Sequence, residues 1–265
     1  MDAFTLHPPA HDPIPLLVTV PHTGTTVPPA IAERWSSPEV GALPDTDWHL
    51  DRLYDFVPRL GAALMVARYS RYVIDLNRPA DGHALYPGRS ETGLVPTTTF
   101  SNQPLYRPGL APDAAEVTAR IARYWTPWHR TVREQLNALK ARFGYAILFD
   151  AHSIISDVPR FSAERLPGLM LGTADGRSCS PALAAAAMDV FSRSPYAWQL
   201  NAPFKGGYIT RSFGAPDDGI HAIQLEMSQR LYMAEGPPFT YLPERAAGLR
   251  TWLEETLRAI AAQAP

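Results

Sequence analysis

Short apolar runs that end abruptly at proline or at a charged residue punctuate this chain, and they alternate with stretches whose apolar positions recur every three or four residues. PLLVTV (15–20) is apolar and β-branched and stops at Pro21, which predicts a strand, whereas PPAIAERW (28–35) opens on prolines and predicts a helix. In WHLDRLYDFVPRLG (48–61), Leu50, Leu53, Tyr54 and Val57 share one helical face, with Pro58 ending or kinking the helix before Gly61. ALMVARYSRYVIDLN (63–77) reads as one or two strands. Residues 78–112 are rich in Pro, Gly, Thr and Ser, a loop far longer than usual, and its Tyr86, Phe100, Tyr106 and Arg107 predict an ordered, functional one. Asp113 and Glu116 have the spacing of a capping box and open a helical segment to about residue 142, with a kink or break at Pro127. YAILFD (145–150), LPGLMLG (166–172) and GIHAIQLEM (219–227) predict strands, while SPALAAAAMDVFSR (180–193) and PERAAGLRTWLEETLRAIAAQ (243–263) predict helices.

Strand and helix in alternation point to an α/β sheet covered by helices on both faces. No shift in composition marks a boundary, so residues 1–265 are expected to form a single domain. With 265 residues, 46% of them hydrophobic, the chain can bury a large core, and its 27 scattered prolines predict stiff, ordered loops. A net charge of −2, without a basic run, gives no support to a nucleic-acid partner. No apolar stretch has transmembrane length and MDAFTLHPPAHDPIP lacks the features of a signal peptide, so a membrane partner is not expected and the expected location is cytoplasmic. The lone Cys179 excludes an internal disulfide and a multi-cysteine zinc site. Oligomeric state is left open.

Ligands of open α/β sheets lie beyond the carboxyl ends of strands, which directs attention to the polar residues that follow each apolar run. These are His22, Asp75 and Asn77, Asp150 and His152, and Glu226. An isolated histidine at a strand end is more often a hydrogen-bonded structural residue, but two histidines and several carboxylates at corresponding strand ends can supply a catalytic zinc site. Other chemistries fit less well. There is no His-Glu-x-x-His, no glycine-rich phosphate loop and no nucleophile elbow, and Ser153 alternates away from His152 if the strand continues.

The stretches VPHTGTTVP, PDTDWHLDRLY, SRYVIDLNRP, LYRPG, FDAHSI, LPGLMLGTADGRSC, NAPFKGGYITRSFG and AIQLEMSQRLYM, in this order over roughly residues 14–235, together resemble the N-formylglutamate deformylase (N-formylglutamate amidohydrolase) family. The resemblance implies hydrolysis of N-formyl-L-glutamate to formate and L-glutamate in histidine breakdown. It also implies a three-layer α/β/α fold with a mixed, mostly parallel central sheet, similar to zinc carboxypeptidases and zinc amidases. His22 in PHTG and His152 in DAHS then resemble metal ligands of a divalent ion, zinc in the first instance. The acidic ligand falls in DTDWHLD, at Asp47 rather than Asp45 because Asp47 immediately precedes the helical pattern; the structural alternative for either is a helix N-cap. Glu226 resembles the general base. Arg71, Arg78 and Arg211 are candidate cations for a developing oxyanion or for the two carboxylates of a small dianionic substrate, with Asp75 and Asn77 orienting these groups and Asn77 near the substrate. His49, His83, His129 and His221 are expected to be structural. Two other readings are a related zinc amidase acting on another N-acyl amino acid and a non-catalytic carboxylate-binding protein on the same fold.

Overall fold

A computed structural model describes residues 2–85, 88 and 91–263. Among these residues seven strands form one sheet: β1 (Phe4–His7), β2 (Leu16–Val20), β3 (Ala63–Ala67), β4 (Ala146–Ile154), β5 (Leu169–Gly172), β6 (Trp198–Leu200) and β7 (Ile220–Ser228). Their order is β1-β3-β2-β4-β7-β5-β6. Neighbours among β3, β2, β4 and β7 are parallel, β1 is antiparallel to β3, and the parallel pair β5 and β6 joins β7 through an antiparallel ladder. This is the mixed, mostly parallel sheet expected.

Because side chains alternate along a strand, each face of the sheet is read from every second residue. One face presents Leu16, Val18 and Val20 of β2, Ile147, Phe149 and Ala151 of β4, and Ile223, Leu225 and Met227 of β7. The helices Pro181–Arg193 and Pro243–Ala261 close it with Leu183, Ala187, Phe191, Leu249, Leu253 and Leu257. The other face presents Leu17, Met65, Ala146, Leu148, Ile220 and Ala222 and is closed by Trp128, Val132 and Leu136 of the helix Thr126–Phe143 and by Ile209 and Phe213 of the helix Tyr208–Phe213. Helices therefore cover both sides. Among the described residues no helix is long and apolar enough to cross a membrane.

Three elements differ from expectation. The apolar run after Ala67 does not make a second strand: Tyr72, Val73 and Ile74 are buried in turns closed by Val73 N–H to Ser70 O at 2.8 Å and by Asn77 N–H to the Asp75 carboxylate at 2.8 Å. Segment 48–61 is divided into a helix at Leu50–Leu53 and a 3₁₀ turn at Val57–Leu60 that contains Pro58 and ends at Gly61, whose φ of 88° suits glycine. Around Pro127 the backbone stays helical, with a π-turn at Ile121–Trp125 between helices Ala114–Arg120 and Thr126–Phe143. The wider turn gives room to a ring that would otherwise strike the carbonyl of Arg123, four residues earlier. The long loop carries Phe100, Tyr106 and Arg107 in ordered positions, with Phe100 and Tyr106 buried. Tyr86 lies outside the described residues.

Candidate metal centre and its cavity

On the second face of the sheet the alternation continues but its chemistry changes halfway along the strands. In β4, Ala146 and Leu148 are followed on the same face by Asp150 and His152; in β7, Ile220 and Ala222 are followed by Gln224 and Glu226. The parallel register sets Asp150 beside Gln224 and His152 beside Glu226. His22 arrives two residues beyond β2, and its backbone carbonyl accepts the Asp47 N–H at 3.1 Å, which brings the 45–49 loop over the strand ends. The polar groups thus meet where the sheet runs out of apolar partners.

His22, Asp47 and His152, all buried, each offer one ligand atom within 4.8 Å of the others. The ring nitrogens are assigned by what stands behind them. His22 Nε2 faces Asp75 Oδ1 at 2.7 Å and His152 Nε2 faces Asp150 Oδ2 at 2.8 Å, so each Nε2 carries the proton and donates it to a carboxylate. That leaves both Nδ1 atoms facing Asp47 Oδ2, at 3.8 Å from His22 and 3.2 Å from His152. A carboxylate behind a histidine fixes the tautomer and raises ligand basicity, the usual arrangement behind a metal-binding imidazole. Asp150 is itself held by the Thr19 hydroxyl at 2.7 Å, and Asp75 by Arg71 Nη2 at 2.7 Å.

Asp47 supplies a further observation. Ser153 N–H donates to its Oδ2 at 3.1 Å, while its Oδ1, fully buried, has no hydrogen-bond partner among the described residues. Its nearest cation is Arg71 Nη1 at 3.7 Å, beyond hydrogen-bond reach, and a buried carboxylate oxygen without a close partner is costly, a cost that a directly bound cation removes. The donor set of two imidazole nitrogens and one carboxylate oxygen fits a divalent transition ion with an open position. Asp47 does not cap the following helix, whose N-cap is His49 at φ 62°. Asp45 turns the other way: its Oδ2 accepts the Phe100 N–H at 2.8 Å, and Phe100 lies under the Arg71 guanidinium at 4.8 Å. Burial raises the Asp45 carboxyl above its ordinary value.

The charges around the trio are unequal. Burial and then the Arg71 charge hold His22 below its ordinary value, outweighing Asp75 and Asp47. Burial alone would lower His152 too, but the Asp150 and Asp47 carboxylates on either side drive it well above. Burial pushes the Glu226 carboxyl up to about 8; His152 and Arg71 oppose that rise, and Asp47 and Asp150 add to it. A carboxyl that exchanges its proton near neutrality has the property required of a general acid and base.

The trio opens into a cavity of about 360 Å³. Its floor is His22, Asp47, His152, Gln224 and Glu226; its walls include Arg71, Asn77, Arg78, Arg160, Phe100, Phe161 and Phe204. Arg78 donates from Nε to Thr92 O at 2.8 Å and from Nη1 to Asn77 O at 3.0 Å. Arg160 donates to Thr99 O at 2.7 Å and Glu91 O at 3.1 Å, which ties the long loop across the mouth. Asn77 is packed so tightly on Gly207 that a Cβ there would stand 2.3 Å from its Nδ2.

The structure therefore gathers His22, Asp47, His152, Glu226, Arg71, Arg78 and Asn77 around one space. It does not bring Arg211 to it. The helix Tyr208–Phe213 turns Ile209, Thr210 and Phe213 inward, and Arg211 lines a separate surface depression with His83 and Tyr208, its Nε bonded to Gly206 O at 2.8 Å. Asp75 and Asn77 sit in a turn and not at a strand end. The four histidines expected to be structural have such places: His49 bonds Phe239 O, His129 donates to Leu76 O, His221 accepts from Ser180 N–H, and His83 pairs with Asp81 at the surface. Sequence reasoning missed Arg160 and Gln224. Nothing periodic marks Arg160, whereas Gln224 follows from the alternation that exposes Glu226, two residues further along the same face.

Comparison with known proteins agrees over nearly the whole chain. Residues 14–233 match the model of a family described as N-formylglutamate amidohydrolase. A Pseudomonas aeruginosa protein named N-formylglutamate deformylase is 49% identical over 250 residues, spanning 94% of this chain and 93% of its own length. A Pseudomonas putida protein of the same name is 45% identical over the same shares. The crystal structure of an N-formylglutamate amidohydrolase from Ralstonia eutropha JMP134 superposes with a TM-score of 0.86 at 28% identity, covering 98% of each chain.

Proposed function

Given that the chain belongs to the N-formylglutamate amidohydrolase family, we propose that it hydrolyses the formamide bond of N-formyl-L-glutamate, releasing formate and L-glutamate, with a divalent ion, zinc by the character of its donors, held by His22, Asp47 and His152. The observation that carries this reading is the paired backing of the two histidines. Asp75 and Asp150 each stand behind an Nε2, which turns both Nδ1 atoms towards the same Asp47 oxygen, where a cation would be shared by all three.

An ion bound there supplies Lewis acidity, making water more acidic and a carbonyl more electrophilic. The remaining work belongs to side chains. Glu226, one strand over from His152 in register, takes the proton of the attacking water as its oxygen bonds to the formyl carbon. The same carboxyl then returns that proton to the amide nitrogen as the carbon–nitrogen bond breaks. Arg71, positively charged and buried against Asp75 and Asp47, faces the negative charge that develops on the formyl oxygen. Arg78 lines the cavity as a cation for the acidic end of the substrate. With a net charge of −2 the protein has no general attraction for anions, so discrimination must be local.

The test is formate release from N-formyl-L-glutamate by metal-loaded protein, compared with N-formyl-L-glutamine. The glutamine substrate loses one charge and is expected to show kcat/KM lower by roughly 10² or more, the scale of a buried charged partner left unpaired. Equal values on the two substrates would reject the dianion pocket and favour a broader acyl-amino-acid amidase.

A further inference from the structure

Gln224 is 4% exposed, lines the cavity, and stands one rung below Glu226 on β7. Its carboxamide is not free to turn. Gly207 N–H donates to Gln224 Oε1 at 2.7 Å, which assigns the oxygen to the protein side and leaves Nε2 as the opposite branch. The same backbone segment treats Asn77 alike, with Ile209 N–H donating to its Oδ1 at 2.8 Å. Asn77 Nδ2 is closed in beside His152, 3.1 Å from Nε2, whereas Gln224 lines the cavity and its Nε2 has no acceptor among the described residues. A buried amide with its orientation locked and two N–H groups facing a cavity is a site built for an acceptor.

Spacing selects which acceptor. Residues two apart on a strand project from the same face about 6.6 Å apart, so the Gln224 and Glu226 side chains, equal in length, end roughly that far from each other. In N-formylglutamate the α-carboxylate lies three bonds from the formyl carbon and the side-chain carboxylate five. By ordinary covalent dimensions only the second reaches about 6 Å. Building on the function proposed above, we infer that Gln224 is a specificity-determining residue whose Nε2 donates to the side-chain carboxylate of the substrate, while Glu226 serves the formyl end.

The experiment exchanges the donor for an anion. Gln224→Glu keeps an oxygen for the Gly207 N–H and the same shape, and sets a negative charge against the substrate's distal carboxylate but not against the carboxamide of N-formyl-L-glutamine. The expected result is that the preference for the glutamate over the glutamine substrate, as the ratio of kcat/KM, falls by about 10-fold or more, with zinc stoichiometry and Tm kept. Gln224→Met removes the donors without adding charge and is expected to raise KM for N-formyl-L-glutamate about 10-fold with kcat changed less than about twofold. This second variant decides the matter if the first fails to fold. An unchanged substrate ratio in Gln224→Glu, or an unchanged KM in Gln224→Met, overturns the inference while leaving the proposed function intact. Unmodified protein inert towards N-formyl-L-glutamate overturns both.

Discussion

The two faces of β4 and β7 are built from the same eighteen positions of two adjacent strands, yet they do different work. One face is apolar along its middle, with Phe149 and Ala151 beside Ile223 and Leu225 under two long helices, and is polar only at His221, opposite Ile147, and at Ser153, opposite Met227. The other is apolar only as far as Leu148 and Ala222, and then presents Asp150, His152, Gln224 and Glu226. Both are buried. The difference lies in how burial is compensated: the first face gains from removing apolar area from water, while the second recovers the cost of desolvation through charged and hydrogen-bonded pairs such as Thr19 with Asp150 and Arg71 with Asp75. The compensation is incomplete at Asp47 Oδ1, and both Asp47 and Gln224 line the space where function is proposed.

The sharpest way to separate the faces is to damage one and read the other. Phe149→Ala, on the apolar face, is expected to cost about 3–5 kcal/mol of unfolding free energy in a denaturant titration. Metal affinity per folded molecule is expected to stay the same. On the polar face the dependence reverses: Glu226→Gln preserves shape and removes the carboxyl, so kcat is expected to fall by roughly 10² or more while the unfolding midpoint holds and metal is retained. Near-normal turnover in this variant would move the base to another carboxyl. A smaller effect is expected one layer out. Asp75→Asn weakens the group behind His22 without touching a ligand, and metal affinity, measured against a chromophoric chelator, is expected to drop about 10- to 100-fold.

Much of this arrangement was legible in the residue pattern, and the exceptions have physical causes. β2, β4, β5 and β7 announce themselves as apolar runs, and the polar residues at the ends of β2, β4 and β7 identify the site because alternation carries a strand's face past the last apolar residue. The run from Tyr72 to Ile74 is as apolar as a strand, but apolarity reports burial and not extension; here the Asp75 carboxylate and Ser70 carbonyl fold it into turns. That misreading left Asp75 and Asn77 correctly in the site for an incomplete reason. β1 and the three-residue β6 are too short and too exposed for periodicity to mark them. Arg211 followed from its neighbourhood in the chain, and a six-residue helix turned it outward. Arg160 reaches the cavity only because it ties down a loop some sixty residues earlier, a tertiary fact with no local signal.

The central claim is that the polar half-face works by holding a divalent ion at His22, Asp47 and His152. The most direct test is the rate of formate release from N-formyl-L-glutamate by protein stripped with a chelator, before and after zinc is returned. The account predicts no release from the stripped protein and full recovery with about one zinc ion per chain. A full rate in the stripped protein would contradict it.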